Sequence, residues 1–396
     1  VALDPEDARN IPDELIALYT AAELELLTAM AQAIAKGIDT DDWLTTQTEQ
    51  QLLFRQHAEQ LARRLQERMP KVLERAVQDA AELGEEAADA DADEPETDRM
   101  PTTTAVGVAG AVGAPAARRR NTARTVAQTQ QAWSTLARAT QALPANAGAL
   151  YSQVVTEVQV RNREIPRAGR PTGGILGAPT ATGTRLDAAQ QALDILTKRG
   201  ITGFRDSRGR NWSLTSYVEM LSRTVVNEAM REAHIERALE HGHTLMVVSS
   251  HSKPAPQCQP YEGQVLSLDG STGTITVESA TTGRPIRVRI KATMRDAISK
   301  GFRHPNCGHA LSRFVPGASR TFTTEPDPEG YAATQKQRAM ERAIRETKNR
   351  AATAITPQAK REANARLRAQ REAIQRHVEE HSLTRRPRRE QINRAR

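Results

Sequence analysis

Leu15, Leu18, Tyr19, Ala22, Leu26, Met30 and Ile34 recur at steps of three and four residues. That spacing gathers side chains on one face of an α-helix and scatters them over both faces of a strand. Gly37 supplies the helix stop. A second stripe follows through Leu53, His57, Leu61, Leu65, Met69, Leu73, Ala76 and Ala80, and Pro70 within it either kinks the helix or opens a new one at its first turn. Residues 1–81 are therefore read as an antiparallel helical hairpin. His57 falls on the apolar stripe and is read as a packed core histidine rather than a ligand.

Few large side chains are available for further cores. Only 38% of the 396 residues are hydrophobic and 3% aromatic, which predicts a mostly helical, extended α+β protein with one modest core. No apolar run approaches the roughly 18 to 20 residues of a membrane span. The start, VALDPEDARN, lacks the basic and apolar regions of a signal peptide. The expectation is a protein made in a cytosol-like compartment with no membrane partner. Two cysteines cannot build a disulfide framework, so a metal site or free thiols are the better readings.

Charge is unevenly spread. The chain carries a net +7, but residues 331–396 hold 18 Lys or Arg against 7 Asp or Glu, so the remainder sums to −4. Residues 82–99, ELGEEAADADADEPETDR, contain nine acids and almost no large apolar side chain. The next stretch, 101–117, is built of small residues with Gly and Pro throughout. Neither can offset its ordering entropy by burial, so 82–117 is read as a flexible linker. Residues 118–184 are read as a helical segment over 119–143, anchored by Trp133 and Leu136, followed by a Pro- and Gly-rich loop over 161–184.

Order returns over 185–316. A short helix and a turn at 206–209 precede a long helix, with Ser216 and Glu219 at capping-box spacing and a stripe of Leu214, Tyr217, Val218, Leu221, Val225 and Ala229. TLMVVSS has strand composition, and QVLSL, TITVESA and RPIRVRI read as three short strands joined by Gly-containing turns. The helix MRDAISKG leads on to FRHPNCGH. The segment is expected to be a small α+β domain with a short antiparallel meander.

His251, Cys258, His304, Cys307 and His309 fall at the two ends of that meander, and an antiparallel excursion returns the chain close to its start. Zinc takes four S and N ligands in a tetrahedron, and two loops supplying two each can build one. Cys258, His304, Cys307 and His309 are the preferred four, with His251 in reserve. Two other readings stay open: thiols buried as small hydrophobes beside histidines bonding loop backbone, or a Cys258–Cys307 disulfide formed under oxidising conditions. His234, His241 and His243 lie along or just beyond a helix end, where the helix dipole favours a protonated imidazole, and are read as structural.

Four stretches, DSRGRNWSLTSYVEMLSRT (206–224), VVSSHSKPAPQCQPYEGQV (247–265), GFRHPNCGHALSRFVPG (301–317) and QKQRAMERAIRETKN (335–349), resemble in that order the phage minor capsid protein 2 family, related to the MuF-like phage head morphogenesis proteins. The resemblance implies a virion component, made in the bacterial host cytoplasm and present in few copies near the portal. It also implies a role in head assembly or DNA packaging, with the portal and other head proteins as partners and no settled catalytic activity. Many relatives read HPNC followed by Arg and Cys, whereas Gly308 and His309 follow here. A His in place of that Cys keeps ligand capacity.

The region 317–396 is read as a basic helical tail too poor in apolar residues to form a core. Arginine dominates it, and its planar fork suits phosphate. Arg342, Arg345, Arg385, Arg386, Arg388 and Arg389 are the candidates for contacting packaged double-stranded DNA or an acidic head partner. A solvated helix with intrahelical pairs such as Glu341 with Arg345 accounts for its first third, but not for RRPRRE (385–390). The competing class is a metal-dependent phage nuclease. Against it, the chain has no paired His or Asn at nuclease spacing, no phosphate-binding Gly-rich loop with Lys and Ser or Thr, and no Gly-x-Ser-x-Gly elbow.

Overall fold

The computed structural model describes residues 7–93, 123–164, 184–304 and 307–392, apart from residues 203, 206–208 and 210. Two compact units share the chain, one of Val1–Asp13, Lys71–Trp133 and Glu219–Gln335, the other of Glu14–Pro70, Ser134–Val218 and Lys336–Arg396.

In the second unit, α1 (Asp13–Ala35) buries Leu15, Ile16, Tyr19, Leu26, Leu27, Met30 and Ile34, each apolar side chain contributing about 1.5–3 kcal/mol. Gly37 ends it with a φ of +67° that a side chain would resist. α2 (Trp43–Asp93) then runs back along α1. Trp43 Nε1–H donates to the Ile34 carbonyl over 3.0 Å, and Gln47 Nε2 reaches the Ala33 and Lys36 carbonyls at 3.3 Å each. These side chains satisfy last-turn carbonyls that have no partner in their own helix. Further along, Glu25 meets Arg64 at 2.7 Å and His57 at 3.1 Å, so this stretch of α2 lies antiparallel to α1. α2 passes through Pro70 without a break.

The buried face of α2 differs from the stripe read in the sequence. His57 is 34% exposed beside Glu25 rather than packed in the core, and Leu53 is 54% exposed. Leu52, Leu53 and Phe54 offer three rotational settings, and the helix uses Phe54, whose ring meets Tyr151 at 5.1 Å. Tyr151 belongs to α3 (Ala123–Glu164), which also brings Thr140 to Tyr19 Oη at 2.6 Å and Tyr151 Oη to Gln47 at 2.7 Å. Trp133, expected as an anchor, is largely exposed, while Leu136, Leu143, Val154 and Val158 are buried. The helix continues to Glu164, and the rest of the expected 161–184 loop, 165–183, lies outside the described residues.

α4 (Arg185–Leu196) starts at a capping box, Asp187 N–H donating to Thr184 Oγ1 and Thr184 N–H to Asp187 Oδ2. A short pair, β1 (Phe204–Arg205) and β2 (Asn211–Trp212), leads into α5 (Leu214–Glu240). The cap of α5 is Ser213, whose Oγ accepts from the Ser216 N–H at 3.4 Å; Glu219, expected as the capping-box acid, pairs with Arg223 instead. Glu23 of α1 is fully buried and accepts from the Ile201 N–H at 2.8 Å and from the Thr215 hydroxyl.

The other unit holds a mixed five-stranded sheet in the order β5-β6-β4-β3-β7. Its strands are β3 (Leu245–Val248), β4 (Val265–Ser267), β5 (Gly273–Glu278), β6 (Pro285–Thr293) and β7 (Leu311–Arg313), with α6 (Met294–Ser299) after β6. β4 and β6 run parallel and every other pair is antiparallel. The expected meander is thus a β5–β6 hairpin inserted beside β4. One core joins Met246, Val248, Leu266 and Leu311 to Ile235, Tyr261, Met294, Phe302 and both cysteines. A second, smaller one forms around Leu245, Val265, Val288 and Ile290.

Residues 82–93, expected as the start of a flexible linker, are the last turns of α2, packed on α5. A Cβ on Gly84 would lie 2.0 Å from the Met230 carbonyl oxygen, so only glycine permits the approach. Asp89 accepts from Arg237 at 2.5 Å and His241 at 2.7 Å, and Asp91 accepts from the Arg313 N–H at 2.6 Å. Small residues and paired acids do here what large apolar side chains do elsewhere. The remainder of that linker, 94–117, lies outside the described residues.

α7 (Pro328–Ala352) and α8 (Pro357–Glu380) follow. They do form a core, against expectation: Ile344, Leu367, Ile374 and Val378 pack together with Met340, Ala351 and Leu383 beside them. Two facing helices need only a narrow stripe each to exclude water between them.

Candidate metal centre and the basic tail

The pairing of β3 with both β4 and β7 brings three chain segments to one end of the sheet. Val248 is registered with Leu311 on one side, and its carbonyl accepts from the Gly263 N–H at 2.9 Å on the other. Ser249 and Ala310 then exchange bonds of 3.1 and 2.8 Å. The loop 249–264 and the return 300–310 consequently face each other. Within the return, the Cys307 N–H donates to the His304 carbonyl at 2.9 Å, and residues 305 and 306 lie outside the described residues. Arg303, at a φ of +60°, holds this return by a 2.8 Å ion pair to Glu232.

Three of the four preferred ligands meet here: one ligand atom from each of Cys258, His304 and Cys307 lies within 4.8 Å of the others. Cys258 Sγ and Cys307 Sγ are 3.8 Å apart as free thiols, nearly twice the roughly 2.05 Å of a disulfide. His309 stands beside them, its Nδ1 3.4 Å from Cys307 Sγ. Its Nε2 lies 2.9 Å from Glu262 Oε1, with both side chains about 1% exposed. The reserve ligand His251 sits on the far side of His309, ring centroids 4.3 Å apart, and groups with Glu262 and His309 rather than with the sulfurs. Its Nδ1 is 2.9 Å from the Ser252 carbonyl oxygen.

Two residues of the centre were not among those read from the sequence. Glu262 accepts from His309, from the Thr324 hydroxyl and from the His251 N–H. Arg231 of α5 is buried and donates to the Cys307 carbonyl at 2.5 Å. An acid inside the Pro-broken loop between Cys258 and the β4 run was the available signal for Glu262. Nothing separates Arg231 from the other polar residues of α5 in the sequence.

The charges sustain one another. The Cys258 thiol donates to Cys307, which, with His309 and Arg231 nearby, holds Cys307 far below the usual thiol range. As donor to that sulfur, and through burial, Cys258 is pushed up. Burial alone would lower His309, but Cys307 and Glu262 outweigh it and raise it. Burial would likewise raise Glu262, and its bonds from His309, Thr324 and the His251 backbone lower it instead. Burial and the neighbouring His309 push His251 down. A thiolate, an imidazole and a carboxylate in line also describe an activated nucleophile. Both sulfurs are buried, however, at 0% and 2% exposure, out of reach of a substrate.

The tail arginines divide into two groups. Arg385 makes a two-pronged pair with the buried Glu390 at 3.1 and 3.3 Å and also donates to Gln375. Arg345 donates to the Arg389 carbonyl, and Arg389 lies 3.9 Å from the buried Glu341. Burial holds Arg386 below the usual guanidinium range, with Glu341 opposing the shift. Arg342 and Arg388 are exposed. Another set of open cations lies on α8, where Lys360, Arg361, Arg366, Arg368, Arg371 and Arg376 are all exposed.

Among the described residues no helix is long and apolar enough to cross a membrane. A family model described as phage minor capsid protein 2 matches residues 3–161 and 173–379. No curated protein and no solved structure matches the chain.

Proposed function

We infer the function of this chain from one premise: it belongs to the phage minor capsid protein 2 family. It is a phage minor capsid protein, and we propose that it is a structural component of the head, set near the portal and acting in head assembly or DNA packaging. The observation that carries this reading is the family match over both long stretches of the chain. Partners are the portal and other head proteins, and packaged duplex DNA is met through the basic tail.

For the tail, the exposure of six cations along α8 favours a polyanion contact on that helix over one centred on residues 385–390. Arg385 and Arg389 are committed to Glu390 and Glu341. Of these, Arg361, Arg368 and Arg376 fall on the side away from the buried stripe, and arginines so spaced can each displace a counterion from a phosphate backbone. Arg342 and Arg388 extend the set. The alternative reading, a metal-dependent nuclease, needs a metal that water and substrate can reach. The burial of Cys258, Cys307 and His309 favours a structural role for that centre.

The test is duplex DNA binding measured against salt. Wild-type protein should lose affinity linearly on a log-log plot, without regard to sequence, and the triple variant Arg368→Glu, Arg371→Glu, Arg376→Glu should bind weakly with a slope smaller by about 3. Identical binding by the triple variant, with its helical signal intact, would reject the DNA contact on α8. Removing residues 331–396 is the poorer test, because Ile344 and Ile374 are core.

A further inference from the structure

We infer that Cys258, His304, Cys307 and His309 form a binding site for one zinc-class divalent cation, with His309 ligating through Nδ1 and Glu262 fixing that ring from the opposite nitrogen.

Distances assign Cys258, His304 and Cys307 directly, and His309, which also groups with His251 and Glu262, joins them through its contact with Cys307. A tetrahedral ion with metal–sulfur bonds of about 2.3 Å holds its two sulfurs about 3.8 Å apart, and with metal–nitrogen bonds of about 2.0–2.1 Å it holds sulfur and nitrogen about 3.5 Å apart. The observed separations are 3.8 Å for Cys258 Sγ to Cys307 Sγ and 3.4 Å for Cys307 Sγ to His309 Nδ1. His304 closes the set from the return that also carries Cys307, its ligand atom within 4.8 Å of both sulfurs. Two thiolates neutralise a divalent ion, and two neutral imidazoles complete a sulfur–nitrogen set that suits zinc better than calcium or magnesium.

The surroundings point the same way. A histidine that binds a metal through one nitrogen almost always gives the other N–H to a carboxylate or carbonyl, and His309 does so to Glu262 at 2.9 Å. Thiols serving only as apolar filling would not require Glu262, His309 and Arg231 to be buried around them, since each brings a costly charge into the core. Both cysteines are free and buried, their sulfurs 3.8 Å apart rather than bonded.

The centre also fastens the segment that leads to α7. Glu262 accepts from Thr324, Gln259 donates to the Thr324 carbonyl, Gln264 donates to the Phe322 carbonyl, and the Phe322 N–H donates to the Gly263 carbonyl at 3.1 Å. An ion that rigidifies loop 258–264 would therefore order residues 322–324.

The test uses the full chain purified anaerobically without chelator. Metal analysis should find about one zinc per chain, and exchange for cobalt(II) should give the intense visible bands of a tetrahedral sulfur-containing site together with sulfur-to-cobalt charge transfer. Competition with a chromophoric chelator should show Glu262→Gln weakening affinity about 10- to 100-fold. His304→Ala, at the half-buried edge of the site, should alter the cobalt spectrum, whereas His251→Ala should leave it unchanged. Cys307→Ser should weaken the charge-transfer band, which then comes from Cys258 alone, or abolish cobalt binding, and His304→Ala supplies the reading if that variant does not fold. Less than a tenth of an equivalent of metal, both as purified and after added zinc or cobalt, would overturn the assignment. So would an octahedral cobalt spectrum without sulfur bands.

Discussion

His309 Nε2 lies 2.9 Å from Glu262 Oε1 in a place where neither side chain meets water. Glu262 also takes the Thr324 hydroxyl and the His251 N–H, so one carboxylate anchors three chain segments. Truncation in Glu262→Ala leaves these donors without a partner, and buried unpaired donors cost about 1–3 kcal/mol each. Glu262→Ala should lower unfolding stability by about 3 kcal/mol in a denaturant titration, and amide exchange should rise first at residues 322–324. Exchange that rises evenly across the sheet would deny Glu262 this local role.

At the end of α2, the pairing of Asp89 with Arg237 and His241 has a pH signature. Burial would raise Asp89, but those two partners outweigh it and lower it below the usual carboxylate range. A lowered carboxylate adds stability that is present above its unfolded value of about 3.9 and is lost as pH falls through the folded one. The pair is well exposed, so the effect is small, about 1 kcal/mol or less. Amide protection over 85–93 should fall as pH is taken from 5 to about 3, and Asp89→Asn should show the lowered protection already at pH 5.

Glu23 behaves in the opposite sense. Burial raises it, opposed by bonds from Thr215 and Ile201 and by the charge of Arg345. A raised carboxyl contributes stability fully present below its unfolded value of about 4.3 and lost as pH rises through the folded one. Glu23→Gln keeps an acceptor for the Ile201 N–H and can donate to the Thr215 hydroxyl without ionising. Its melting temperature at pH 7 should equal or exceed the wild-type value, while Glu23→Ala should destabilise by about 1–3 kcal/mol. A Glu23→Gln variant as damaged as Glu23→Ala would contradict the assignment.

Much of this was legible in the chain. The stripe of α1, the strands around Val247, Val265, Ile275 and Val288, and the meeting of Cys258 with His304 and Cys307 follow from spacing and from the return of a short strand excursion. What was hidden depended on partners remote in sequence. Nothing near Gly84 announces Met230, and no local rule selects Phe54 over Leu53 until Tyr151 is in place. Arg385 looked like an open cation because Glu390, its partner, reads as one more residue of a charged run. The narrow stripe of α8 looked too thin for a core until α7 faced it.

Limited proteolysis with a broad-specificity protease tests the docking of the last turns of α2. Residues 82–93 should persist, held by Asp89, Asp91 and the Gly84 contact. Early cuts within 82–93 would contradict the docked helix.

The most direct test of the account is mass spectrometry of purified virions set beside empty heads from the same phage. The account predicts peptides from both units of this chain in both preparations, at a small fraction of the abundance of the major capsid protein. Absence from virions and heads alike, with the protein abundant in the host lysate, would contradict a structural role in the head.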